Sequence, residues 1–179
     1  SSRMALRSTI GIAALAGVSL LAPEQAWASC IVGGVTVQCG TTSTTDTTYP
    51  ASPPNDRAYE GPIATPIILS VDAGETVSGN GLAVSNTLTG GVTVTNNGTI
   101  SVDAGNAPTA GGTAALSVTA AGGPIIYTGG NIVNNGTGNG FDATQNGGVG
   151  SIDITLTGDV TAATGEGVVV RNVATSTDV

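Results

Sequence analysis

Four carboxylates in the C-terminal part of the chain, Asp142, Asp153, Asp159 and Glu166, are the side chains best suited by type to chemistry. Paired carboxylates hydrolyse glycosidic bonds, one as acid and the other as base or nucleophile, so polysaccharide cleavage is the reaction they would serve. They fall at different phases of the surrounding repeat, and no Lys, no His and no cluster of Arg accompanies them to neutralise a uronate. Lack of His and Lys also excludes His-dependent triads, His-ligated zinc, Schiff-base lysines and the Walker lysine from these 179 residues. No catalytic residue, metal ligand or cofactor is expected.

Two further patterns could hold ligands. Gly138-Asn139-Gly140-Phe141-Asp142 partly matches the Gly-rich nonapeptide that binds calcium between stacked turns, but it occurs once, and Thr144 stands where an aliphatic residue belongs. Corner glycines account for it instead. Thr93-Val94-Thr95 and Thr155-Leu156-Thr157 are similar to flat threonine arrays that bind ice. The intervening turn is expected to place Ile125 and Tyr127 between them, which breaks any ladder. Asn97-Gly98-Thr99 and Asn135-Gly136-Thr137 are glycosylation sequons, meaningful only in a eukaryotic secretory pathway.

Cys30 and Cys39 are the only cysteines, too few for a metal site and without Cys-x-x-Cys spacing. A disulfide is expected in an exported chain. A two-residue turn at Gly34-Val35 sets Cys30 opposite Cys39, with Gly34 taking the positive φ that such hairpin turns require.

Charge narrows the partners. Without residues 1–28, which hold Arg3, Arg7 and Glu24, 11 acids face only Arg57 and Arg171. Such a surface repels phosphate backbones and offers no polybasic membrane patch, so nucleic acid is not a partner.

The elements that must position these residues are strands. Apolar residues reach 40%, mostly Val, Ile, Leu and Ala mixed with Thr, Asn and Gly, a composition poor in helix formers. Residues 1–28 have the order of a secretory signal: Arg3 and Arg7, an apolar stretch from Ile10 to Ala22 too short to span a bilayer, then Ala26-Trp27-Ala28. Cleavage is expected after Ala28. Trp27 disfavours a lipoprotein signal ahead of Cys30. Residues 29–65 read as a Cys-paired leader followed by a Thr- and Pro-rich linker with no apolar periodicity.

Residues 66–179 carry a repeat. Gly98, Gly130 and Gly158 each stand two residues before an aliphatic residue, at intervals of 32 and 28. Val94, Ile126 and Ile154 lie four residues before these glycines, and Leu82, Leu116, Phe141 and Val168 open strands at intervals of 34, 25 and 27. The long first interval contains an apparent insertion, Asp103 to Gly112, expected to be a removable surface loop. Runs this short are unstable alone, but stacking successive turns buries each aliphatic stripe on the one below. Gly98, Gly130 and Gly158 are expected at corners where a Cβ would clash and a left-handed conformation is needed. Asn96, Asn97, Asn134 and Asn135 can satisfy backbone groups there. The fold expected is all-β, a right-handed parallel β-helix, with Leu82, Val94, Leu116, Ile126, Phe141, Ile154 and Val168 inside. An antiparallel sandwich of hairpins is the rival, and it does not predict a recurrence near 27 residues.

Over residues 66–179 the chain resembles the passenger region of bacterial autotransporters and similar β-helical surface adhesins. The resemblance rests on the signal, the Cys pair with its Thr-rich leader, and stretches such as Val92–Val102 and Gly158–Val170. It implies a non-catalytic surface scaffold in a Gram-negative-type bacterium, contacting host molecules or carbohydrate. It also implies a C-terminal outer-membrane barrel as translocator, so that this chain is a fragment. The alternative is the N-terminal part of an exported carbohydrate-active enzyme. Counting from Val168 puts the next corner at about 182 to 185. The stripe at Val168 and Val170 then lacks a covering turn, and self-association of that open end is expected.

Overall fold

A computed structural model describes residues 29–40, 58–61, 64–108, 113–147 and 150–173, so the expected signal and most of the linker lie outside the described residues. The described residues are all-β, with no helix. The strands are β1 (Ser29–Gly33), β2 (Thr36–Gly40), β3 (Ala58–Gly61), β4 (Ile67–Val71), β5 (Thr76–Val77), β6 (Leu82–Asn86), β7 (Val92–Val102), β8 (Ala114–Ala120), β9 (Ile125–Asn134), β10 (Asn139–Gln145), β11 (Ile152–Leu156), β12 (Val160–Ala162) and β13 (Val168–Asn172). Their sequences alternate as strands must: Ile67, Leu69 and Val71 are buried while Ile68 between them is exposed.

Two sheets form. The first has the order β1-β2-β4-β7-β9-β11, with β5 also on β7 and β12 also on β9; the second has the order β13-β10-β8-β6-β3. Every strand pairing is parallel except the β1–β2 hairpin. From β4 onward the chain passes back and forth, β6, β8 and β10 in the second sheet separating β4, β7, β9 and β11 in the first. Neighbours within a sheet therefore come from successive passes of the chain. Leu82, Leu116, Phe141 and Val168 stand in one column of direct partners, as their intervals require.

One apolar cluster draws on both sheets, including Leu69, Val94 and Ile132 from the first and Leu82, Leu116 and Phe141 from the second. The rings of Tyr127 and Phe141 meet at 4.8 Å between centroids. Leu82, Val94, Leu116 and Phe141 are buried as expected, but Ile126 is 39% exposed, Val168 is 38% exposed, and Ile154 is only partly buried. Ile126 is a one-residue phase error, which turns a strand residue to the opposite face. Between the pairs Asn96↔Gly129 and Thr99↔Asn131, β7 holds two residues and β9 only Gly130. Counting back equally from each glycine ignores this bulge; the true partner of Val94 is Tyr127, and Ile125 and Tyr127 point inward.

Of the two reasons expected for the corner glycines, the clash of a Cβ holds and the left-handed conformation does not. Gly98, Gly130 and Gly158 do not have positive φ. Close approach of neighbouring turns explains them: a Cβ on Gly98 would overlap the Glu75 carbonyl and lie 2.7 Å from the Asp72 carbonyl, and one on Gly158 would lie 2.5 Å from Asn131 Oδ1. At Gly130 the nearest atom would be 3.1 Å away, so that site is less restricted. The expected hairpin does use positive φ, with Gly34 at 63°. Cys30 and Cys39 are cross-strand partners joined by a disulfide. That bond fits an oxidising, exported setting.

Two segments read from sequence as leader and linker belong to the sheets. β2 pairs with β4 and β3 with β6, so pairing crosses the boundary expected at residues 65 and 66. The supposed insertion is also partly structural, although residues 109–112 lie outside the described residues. Asp103–Asn106 forms a turn closed by Asn106 N–H to the Asp103 carbonyl at 3.0 Å, and Thr137 N–H donates to the Asn106 carbonyl at 3.1 Å. Asp72–Glu75 makes a turn of the same kind at a different point of the pass, and its Glu75 carbonyl accepts from Thr99 N–H at 2.8 Å.

Candidate functional site

Bends between strands are held by three buried asparagines, Asn86, Asn96 and Asn134. Each uses its Oδ1 to accept the N–H two residues on, from Leu88, Gly98 and Gly136 respectively, at 2.9 to 3.1 Å. Nδ2 of Asn86 and of Asn134 donates to a carbonyl beyond the bend, that of Gly91 and Asn139 respectively, while Nδ2 of Asn96 donates across to the Asn131 carbonyl of the neighbouring strand β9. With bends fixed this way, the strands between them present regular outward faces.

On the outer face of the first sheet, Thr36, Ile68, Thr93, Ile126 and Asp153 form one column of register partners, and Gln38, Ser70, Thr95, Thr128 and Thr155 form the next. Thr95, Thr128 and Thr155 are thus a continuous threonine ladder, which corrects the expectation that Ile125 and Tyr127 interrupt it. Ile68 and Ile126 are exposed, at 44% and 39%. Asp153 is the only ionisable group in the two columns, and its carboxylate accepts from Ser151 Oγ at 2.8 Å. In a chain of net charge −8, this face carries few charges, Asp153 and the Asp72 carboxylate that accepts from Gln38 Nε2 at 3.2 Å, and between them hydroxyls and methyls repeat at the strand spacing of about 4.8 Å. It has contact groups and no proton-transfer pair.

The second sheet carries the one salt bridge among the described residues, Arg171 with Asp142. Asp142 on β10 is 4% exposed and accepts from Thr113 Oγ1 at 2.7 Å, Thr144 Oγ1 at 3.0 Å and Arg171 at 2.5 Å. Burial pushes its carboxyl pKa up, but hydrogen bonds from Thr113, Arg171 and Thr144, with the Arg171 charge, outweigh burial and hold it below the ordinary value. A carboxylate so occupied is a clasp between β10 and β13 rather than a proton donor. Burial likewise raises the Tyr127 phenol, against a lowering by its hydrogen bond from Asn96.

The four carboxylates that opened the sequence analysis are not brought together. Asp142 lies in the second sheet and Asp153 on β11 in the first, while Asp159 and Glu166 occupy the segments flanking β12. No group of three or more metal-ligating side chains forms among the described residues. In the calcium-like pentapeptide, Asn139 Oδ1 accepts from Glu166 N–H at 3.0 Å and Phe141 enters the core. Asn97 and Asn135 of the sequons are exposed. The ladder itself was detectable in sequence as Thr93-Val94-Thr95 and Thr155-Leu156-Thr157; only the bulge concealed its register. The Asp142 clasp has no such signal, because two of its three partners, Thr113 and Arg171, lie 29 residues away on either side.

No known protein family, curated protein or solved structure matches the chain.

Proposed function

We propose that the chain is a non-catalytic segment of an exported right-handed parallel β-helix, of the kind found in autotransporter passengers and secreted β-helical adhesins. The observation that carries this reading is the column of same-phase residues, Leu82 to Val168, built from successive passes of the chain through one parallel sheet. Parallel strands joined through a crossover are right-handed in about 98% of cases, which supports the handedness. The disulfide supports export, and the resemblance supplies the Gram-negative cell surface and an outer-membrane barrel as translocator.

In this reading the protein works by contact. Its contact surface is the sparsely charged outer face of the first sheet, whose stacked hydroxyls and exposed Ile68 and Ile126 suit an uncharged, repetitive partner such as a neutral polysaccharide on a host surface. The exported chain should bind neutral glycans on an array, Thr128→Arg should abolish the binding with folding retained, and no reducing ends should be released. Binding unaffected by Thr128→Arg, or release of reducing ends, would contradict the reading.

A further inference from the structure

We propose, on the adhesion reading above, that the outer face of the first sheet takes one class of neutral glycan: an extended chain of β-1,4-linked pyranose rings lying along the stack, one ring to each pass. Linkage, beyond neutrality, then decides what the protein holds.

Two different periods on that face carry the proposal. In one column a hydroxyl stands on every pass, Ser70 on β4 through Thr95 and Thr128 to Thr155 on β11, so a group that both donates and accepts recurs about every 4.8 Å. In the column beside it the side chains alternate, Ile68 on β4, Thr93 on β7 and Ile126 on β9. Their chain neighbours Ile67 and Ile125 already fill the core, so the outward isoleucines are not needed there. Nor do they shield each other: two strand spacings, about 9.6 Å, separate them, with Thr93 between. The face thus repeats its hydroxyl once per pass and its exposed aliphatic group once per two passes.

A β-1,4-linked chain has the same two periods. When both bonds of the linkage are equatorial the chain runs straight, each ring advances it by close to one strand spacing, and each ring is turned half a revolution from the last. One edge of the chain then presents a hydroxymethyl group at every second ring and secondary hydroxyls at the rings between. Laid along the stack, alternate rings set their C–H and CH2 groups on Ile68 and Ile126, the ring between them turns its hydroxyls to Thr93, and every ring meets the serine and threonine column. Chains linked α-1,4 or β-1,3 curve into helices and leave a straight column after a ring or two. Acidic chains are repelled, because Asp153 stands at the β11 side of the tract and Asp72, accepting from Gln38 Nε2 at 3.2 Å, at the β2 side.

Titration calorimetry of the purified, disulfide-bonded chain with soluble β-1,4-, β-1,3- and α-1,4-linked glucans of increasing length tests this. Only the β-1,4 series should bind, and its affinity should rise about tenfold from two rings to three, the length at which one chain first reaches both isoleucines. Ile126→Thr, and separately Ile68→Thr, should abolish that rise while circular dichroism shows the fold retained. Equal or tighter binding of either other series, an affinity that grows without a step at three rings, or a step that survives both substitutions would overturn the proposal. A glycan array probed with the unaltered chain separates this from the adhesion reading. A neutral glycan bound there while the β-1,4 series fails overturns the linkage alone, and a blank array overturns both.

Discussion

Replacing Gly98 with alanine tests how closely successive turns approach. Ordinarily, an alanine for a strand glycine stabilises by about 0.5 to 1 kcal/mol, because glycine loses more freedom on folding. Here the added methyl would overlap the Glu75 carbonyl and approach the Asp72 carbonyl, both backbone atoms that no rotamer change can move. Overpacking of this kind costs about 1 to 3 kcal/mol. Relief by backbone shift would also lengthen the bond from Thr99 N–H to the Glu75 carbonyl, now 2.8 Å, at a further cost of about 1 kcal/mol. The sum is a net destabilisation of about 2 kcal/mol. Gly130→Ala is the internal control: its methyl would stand 3.1 Å from the Gly98 carbonyl, so its effect should stay within about 1 kcal/mol of zero. Urea titration followed by β-sheet circular dichroism compares the two proteins directly. If Gly98→Ala proves as stable as Gly130→Ala, the close approach is not a constraint and the account of the glycines fails.

Ile125→Thr should cost about 2 kcal/mol by burying an extra hydroxyl, whereas Ile126→Thr should change stability by less than about 0.5 kcal/mol; the reverse order in urea would restore the register expected from counting. Reduction of the Cys30–Cys39 bond should add two hydrogens by intact mass and lower stability by about 2 to 3 kcal/mol, and free thiols in protein purified without reductant would refute the pairing. Asp142 is held below its ordinary value of 3.8, so its stabilising contribution is complete above that value and is lost as pH falls through the lower folded value. Asp142→Asn should therefore flatten stability against pH below about 4 and cost about 1 kcal/mol at neutral pH, discounted because Arg171 is half exposed; an unchanged acid limb would remove the clasp from the account. Asn106→Ala should cost about 1 kcal/mol through its lost side-chain bond to the Gly79 carbonyl, measured by the same titration, and no change would return Asp103–Asn106 to the status of a removable loop.

How much could be read in advance depended on whether each signal was periodic. Leu82, Leu116, Phe141 and Val168 were legible as equivalent because each opens a run of inward aliphatics, and they do form one column. The turn at Gly34 was legible because a two-residue connection between the cysteines leaves few alternatives. The phase of Ile126 was not, since one bulge residue in β7 is invisible to a count between glycines. Asn96 and Asn134 were recognised as corner residues, but Asn86 lacks the Asn-Asn-Gly-Thr context that marked them. The Asp103 turn was misread as an insertion although Val71-Asp72-Ala73-Gly74 and Val102-Asp103-Ala104-Gly105 repeat the same tetrapeptide. Those two turns serve different phases of the pass, so a search for equally placed strands skips them. Burial of Asp142 and exposure of Val168 depend on what lies above and below in the stack, which no local pattern encodes.

Through-space proton contacts measured by nuclear magnetic resonance on the purified, disulfide-bonded chain test the parallel arrangement most directly. The arrangement predicts contacts linking Val94 to Tyr127 and Tyr127 to Ile154 across the first sheet, and Leu116 to Phe141 across the second, with the backbone pattern of parallel strands in both. Close Hα–Hα contacts between neighbouring hairpin strands throughout residues 67–172, or contacts pairing Val94 with Ile126, would contradict it.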